Sequence, residues 1–218
     1  MKNRFPTNID EAKKFQEIIA EELQLIDNFS KIRIVGGFDI AYKQDIAFAA
    51  GILYDCENHL IIEKATSKEK VKFPYIPTFL FLREVPPFLS LLEKFNTIPD
   101  IIIVDGHGIA HPRTAGSATV FGVISDIPSI GVAKKPLKFF CYEKTNQSNV
   151  DKIFLYQKHV GYRYSFSNQW NPIYISPGNK ISIESSYKIV KFLLTSNFKL
   201  PIPQQYAHLL AAEFKKNF

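Results

Sequence analysis

Apolar and polar positions along this 218-residue chain change period several times, and each change predicts an element. Between 9 and 28, Phe15, Ile18, Ile19, Leu23 and Ile26 fall at helical spacing, so an amphipathic helix is expected there. Three alternating runs follow: "KIRIVGGFDIAY" (31–42), "DIAFAAGILYD" (45–55) and "HLIIEKATSK" (59–68). Short polar breaks separate them, which predicts an antiparallel meander. Pro86-Pro87 marks the expected start of a helix that "FLSLLEKF" continues, because proline suits a first helical turn. "DIIIVD" (100–105) is a continuous apolar run, the mark of a strand buried on both faces as in parallel sheets. "GSATVFGVISD" reads as a helix and "PSIGVAKKPL" as a short strand with its exit loop. Patterning weakens from 137 to 172: a hairpin is expected around "IFLYQKHVGYRYSF", and "FFCYEKTNQSNVD" (139–151) reads as a mobile loop. "SIESSYKIVKFLLTS" and "PQQYAHLLAAEFKK" close the chain as helices. No repeat or linker breaks this order, so one domain over 1–218 is expected. Its class is α/β, a mixed sheet of antiparallel meander plus parallel strands with helices on its faces.

Composition narrows the setting. No segment approaches the ~18 uninterrupted apolar residues of a membrane helix. The start, Met1-Lys2-Asn3-Arg4, leads into polar sequence rather than an apolar leader. Two cysteines, Cys56 and Cys141, are too few for a disulfide framework and are expected to be reduced. A cytoplasmic protein without membrane attachment, acting as a monomer, is the expectation. The net charge of +6 leans toward a polyanionic partner, although 22 of the 27 basic residues are lysines that a solvated surface would also explain.

Candidate chemistry gathers where strands and helices end. Asp39 stands near the end of the first strand, Asp105 ends "IIIVD", and Glu84 precedes the expected helix start at Pro86. If the first strand lies beside the later parallel one, Asp39 and Asp105 share a crevice. Clustered carboxylates repel unless a cation neutralises them, and an oxygen-only set suits Mg²⁺ or Mn²⁺. Gly106 and Gly108 let a backbone approach a ligand closely. His107 and His111 are four apart, but the glycines and Pro112 break the helix that would make this a zinc spacing. His208 flanks the buried stripe of Ala207, Leu210, Ala211 and Phe214 on the last helix. Tyr75, between Pro74 and Pro77 and beside Ile76, is stiffly held and expected to protrude. Lys134 and Lys135 follow a strand and offer a phosphate contact. On residues alone, a structure-selective nuclease and a non-cutting module for modified bases both remain open.

Four stretches in this order, "GGFDIAY" (36–42), "PYIPTFLFLRE" (74–84), "VDGHGIAHPR" (104–113) and "IGVAKKPL" (130–137), closely resemble endonuclease V. The resemblance runs from about residue 8 to 215. It implies an RNase H-like fold and a Mg²⁺-dependent nuclease, with Mn²⁺ as an expected substitute. Such an enzyme recognises deoxyinosine or inosine in nucleic acid and cuts the second phosphodiester bond on its 3′ side, leaving a 3′-hydroxyl and a 5′-phosphate. It further implies Asp39, Glu84 and Asp105 as metal-binding and catalytic carboxylates, with His208 near the metal and Lys134 beside the cut phosphate. Tyr75, framed by Pro74, Ile76 and Pro77, matches the family's strand-separating wedge. Thr78, Leu80, Gly106 and Gly116 fall on the base-pocket side, and His111 with Arg113 is expected to hold the loop or a phosphate. Two positions depart from the family's pattern: Thr78, where glycine is usual, and Val120, where histidine often precedes "FG".

Overall fold

The computed structural model describes residues 5–218, so the polar start Met1–Arg4 lies outside it. Among the described residues nine strands make one sheet. In chain order they are β1 (Ile34–Lys43), β2 (Ile46–Asp55), β3 (Leu60–Lys70), β4 (Ile101–Asp105), β5 (Ser129–Ala133), β6 (Cys141–Lys144), β7 (Val150–Leu155), β8 (Lys158–Tyr164) and β9 (Ile173–Asn179). Across the sheet they run β3-β2-β1-β4-β5-β9-β8-β7-β6. The expected meander is β1 to β3, and β4 pairs parallel with both β1 and β5. Helices cover both faces. On one side lie α1 (Ile9–Glu22), α2 (Phe81–Leu92) and α3 (Ser117–Ser125), and on the other α4 (Ile183–Phe192) and α5 (Ile202–Lys216).

Strand alternation sorts the core between these layers. Phe38, Ile102 and Val104 pack with Phe81, Val85, Phe88 and Phe121 from α2 and α3. Val35, Ile101 and Ile103 pack on the opposite face, with Ile130, Tyr187 and Val190. By the same parity Asp39 and Asp105 face the α5 side. The parallel register ends at Phe38↔Val104, so the two aspartates are the next position along each strand. Gly37 is what lets α5 come close: a Cβ there would lie 2.2 Å from the Pro203 carbonyl carbon. Buried Gln204 fastens the same helix to the sheet, its Nε2 donating to the Val132 carbonyl at 3.0 Å.

Four expectations are corrected. The first helix stops at Glu22 rather than near 28, because Gln24, Asp27 and Asn28 turn away to bond Asn179, Lys180 and Ser182. α2 begins at Phe81, five residues before Pro86, so both prolines and Glu84 lie inside it. Burial of Phe81, Leu82 and Val85 drives that early start, and its first turn is tightened by bonds of the i→i+3 kind such as Arg83 N–H to Leu80 C=O at 2.8 Å. Asp39 is mid-strand rather than near the end, because β1 continues to Lys43 paired with β2 alone. The stretch 139–151 contains the edge strand β6; its four residues are all exposed, so no apolar alternation could betray it. The hairpin around 153–166 is present as β7–β8, turning at Tyr156 and Gln157, both with positive φ as a type I′ turn requires.

Candidate active site

The parallel β1–β4 pair delivers Asp39 and Asp105 side by side, and β5 leads directly into Lys134. The Lys134 ammonium bridges the two acids, donating to Asp105 Oδ2 at 2.7 Å and to Asp39 Oδ2 at 3.3 Å. From α5, His208 Nδ1 meets Asp39 Oδ2 at 2.6 Å. The Ile40 backbone N–H donates to Asp39 Oδ1 at 2.6 Å, so both oxygens of this buried carboxylate are held. Glu84 arrives from the opposite helix layer. It accepts a short hydrogen bond from the Ser117 hydroxyl at the start of α3, and its Oε2 lies 3.7 Å from where a Cβ on Gly106 would stand. Gly106 has φ +143°, a conformation open to glycine, and with no side chain it leaves the end of β4 uncovered.

Charge in this cluster is unevenly carried. Burial would raise Asp39, but the His208 and Lys134 partners outweigh it and hold the carboxyl below its usual range. Burial, and then repulsion by Asp39, pushes Asp105 up despite Lys134. Glu84 is pushed up to about 8 by burial, with Asp105 and Asp39 adding to the shift and the Ser117 bond opposing it. Burial would lower Lys134, but Asp105 and Asp39 outweigh it and raise the ammonium. The cluster is short of positive charge, which is the condition a bound cation relieves. Its donors are carboxylate oxygens and one imidazole, while the free cysteines stand elsewhere, Cys56 just past β2 and Cys141 on β6. Such a set suits a hard divalent cation in kind. Among the described residues no three acidic, imidazole or thiol groups already stand close enough to hold an ion. Glu84 is turned to Ser117 and the Lys134 ammonium takes the cationic place between the aspartates.

Beside the carboxylates a small cleft is lined by Thr78, Leu80, Gly106, His111 and Gly116, together with Gln16, Glu84 and Ser117. Its rim is organised around one backbone carbonyl. The Thr78 oxygen accepts from His111 Nε2 at 3.0 Å, Arg113 Nη2 at 3.1 Å and Gln16 Nε2 at 3.2 Å. Arg113 Nη2 also donates to the Thr78 hydroxyl at 2.7 Å, and its Nε to Gln16 Oε1 at 2.7 Å. Thr78 itself has φ +69°, the left-handed region where a β-branched residue is rare. His111 and Arg113 thus both bond the loop at Thr78. His107 Nε2–H donates to the Lys135 carbonyl, 3.1 Å away, so the two histidines do not converge as ligands. Val120 is fully buried in the apolar cluster beneath α3 and does not line the cleft. Tyr75 protrudes, 70% exposed, with Pro74 and Pro77 exposed beside it and Ile76 half-buried against the core.

Sequence reasoning missed Gln16, Ser117 and Tyr42. Gln16 carried a signal: it is a fully buried polar residue on the face of α1 that also buries Ala12 and Ile19. Ser117 and Tyr42 carried none, because their partners Glu84 and Arg83 come from α2.

Known proteins share this arrangement of sequence and fold. A family profile described as Endonuclease V matches residues 17–209. An endonuclease V of Thermofilum pendens is 33% identical over 217 residues, covering 98% of this chain and 93% of the relative. The Streptomyces avermitilis endonuclease V structure superposes with a TM-score of 0.89 at 28% identity, covering 97% of this chain and 95% of that one. The Ciona intestinalis endonuclease V, solved with a 24-mer DNA containing an inosine followed by a ribo-adenosine, superposes with a TM-score of 0.86 at 26% identity, covering 95% and 98%. The mixed sheet is therefore the RNase H-like one expected. With its profile match, its near-complete coverage and its fold in agreement, the chain belongs to the endonuclease V family and is a nuclease.

Proposed function

We propose that this chain is a Mg²⁺-dependent endonuclease that recognises deoxyinosine or inosine in nucleic acid. It hydrolyses the second phosphodiester bond on the 3′ side, leaving a 3′-hydroxyl and a 5′-phosphate, and so serves DNA repair or the cleavage of inosine-containing RNA. The observation that carries this reading is the Asp39–Lys134–Asp105 bridge, with His208 and Glu84 beside it, next to a small cleft that includes Gly106 and Gly116 in its wall. The inosine-containing DNA bound by the Ciona relative supports the choice of base.

Asp39, Asp105 and Glu84 are the residues that would hold the metal, with Mn²⁺ able to replace Mg²⁺. A hard divalent ion held there would supply a bound water of lowered pKa and positive charge toward the departing 3′-oxygen. Lys134, beside both aspartates, supplies charge for the phosphate oxygens. His208, oriented by Asp39, handles the proton of the attacking water. Tyr75, with Pro74, Ile76 and Pro77 as its stiff frame, unstacks the strand. The extruded base enters between Thr78, Leu80, Gly106 and Gly116, with His111 fixing the wall. We place the protein in the cytoplasm as a monomeric single domain; the free, exposed thiol of Cys141 fits a reducing compartment.

The test is cleavage of labelled single strands carrying one deoxyinosine or one inosine, with Mg²⁺ and with chelator. Mg²⁺-dependent cutting at the second 3′ bond, abolished by Asp39→Ala with base-dependent binding retained, is the expected result. Cutting that ignores the base, or that survives Asp39→Ala, sinks the proposal.

A further inference from the structure

A second cleft adjoins the carboxylate cluster on the side away from the base cleft. Lys134 and His208 line it, together with Trp170, Asn197, Phe198 and Lys199 among others. Trp170 comes from the β8–β9 connection, where its backbone N–H bonds the Ser167 carbonyl at 3.4 Å; the other three come from the α4–α5 connection. The cleft measures about 210 Å³. Pockets for drug-sized ligands run to about 300–1,000 Å³, so this one suits a single base or sugar-phosphate unit. Its chemistry is that of a single-strand platform: an aromatic surface bordered by two lysines and two amides. The Trp170 indole N–H is buried and has no hydrogen-bond partner among the described residues.

We infer that this cleft takes the nucleotide immediately downstream of the cut, the one that leaves with the 5′-phosphate. The inference rests on the deoxyinosine-directed cleavage proposed above. The two clefts flank one cluster, the base cleft meeting it through Glu84 and the second through Lys134 and His208. A strand with its deoxyinosine in the first, and one nucleotide between, brings the second 3′ phosphate to the cluster. The following nucleotide then lies over the second cleft, its base on Trp170 and its backbone facing Lys199. The strand path is continuous with the site through Lys134, and the lysines match its charge.

Trp170 is the only tryptophan of the chain, so its emission reports this cleft alone. The probe is a single-stranded DNA with one deoxyinosine, offered to the full chain in Mg²⁺, either intact or with the second nucleotide 3′ of the deoxyinosine made abasic. Base–aromatic stacking at its usual strength predicts about a tenfold higher KM for the abasic strand, and quenching of tryptophan emission by the intact strand only. Trp170→Ala should raise KM about tenfold on the intact strand and leave the abasic strand unchanged, whereas Trp170→Phe should largely restore it. An abasic residue five positions downstream should have no effect. Deoxyinosine-dependent cleavage that ignores both the second nucleotide and Trp170→Ala overturns the cleft assignment and leaves the proposed function standing. Absence of deoxyinosine-dependent cleavage by the unaltered chain overturns both.

Discussion

The Tyr42 hydroxyl donates to the Arg83 carbonyl at 3.3 Å, and that carbonyl is the one Pro87 leaves without its helical donor. A helix with proline at its sixth and seventh residues loses two backbone bonds in its first turns. One is replaced here from β1, and the Arg83 guanidinium lies over the same Tyr42 ring, 5.0 Å from its centroid. Arg83 Nη1 in turn donates to the Phe73 carbonyl at 2.6 Å. Two segments, β1 through Tyr42 and the loop at Phe73, are thereby tied to the turn of α2 that carries Glu84.

Tyr42→Phe keeps the ring and removes only the hydroxyl. The loss of one hydrogen bond to a buried carbonyl should cost about 1 kcal/mol of stability, read from urea midpoints at unchanged m-value. Because Glu84 is the next residue along, cleavage in Mg²⁺ should slow a few-fold with little change in substrate binding. Unchanged stability would mean that water satisfies the Arg83 carbonyl equally well.

At Thr78 the usual ranking of small residues should invert. Its φ of +69° favours glycine, while its hydroxyl accepts from Arg113 at 2.7 Å. Thr78→Ala loses the charge-assisted bond and keeps the backbone strain, for a cost of about 2 kcal/mol. Thr78→Gly loses the same bond but relaxes the backbone, which is worth roughly 1–2 kcal/mol at a left-handed position. Glycine should therefore be the more stable of the two variants in denaturant unfolding. Alanine ahead of glycine would show that φ here is not held positive.

Much of this was legible in the chain, and the exceptions share a cause. The doubly buried "IIIVD" marked a parallel strand, and its pairing with β1, on which the shared crevice of Asp39 and Asp105 was conditional, is present in the fold. Motif likeness supplied Glu84, Lys134 and His208, which spacing alone could not join because they come from α2, the end of β5 and α5. The start of α2 was misread because a local rule about proline lost to the burial of Phe81, Leu82 and Val85. β6 was invisible because an exposed edge strand is held by backbone pairing to β7 and needs no apolar pattern. Trp170 and Lys199 meet only across two connections, so nothing local linked them.

His111 makes the fold sensitive to acid. Its Nε2–H donates to the Thr78 carbonyl while Nδ1 accepts from the Arg113 backbone N–H at 3.3 Å, so the neutral ring is the form the loop requires. Burial first, and then the Arg113 charge, push its pKa down to about 3. His107, held at about 4 by burial, acts with the same sign. An unfolded histidine titrates near ~6.5. Between that value and the folded one, the unfolded chain binds more protons, so stability rises with pH and is lost as pH falls. The full contribution is present above ~6.5, and each pH unit below removes at most about 1.4 kcal/mol per histidine. Glu84 and Asp105, both pushed up, act with the opposite sign between pH 7.5 and 4.5, so the histidine contribution is read as a difference between two proteins. His111→Gln, although less stable at pH 7.5, should show a slope of stability against pH that is lower by nearly one proton below pH 6.5 in urea midpoints. Parallel slopes for the two proteins would mean that His111 is charged within the fold.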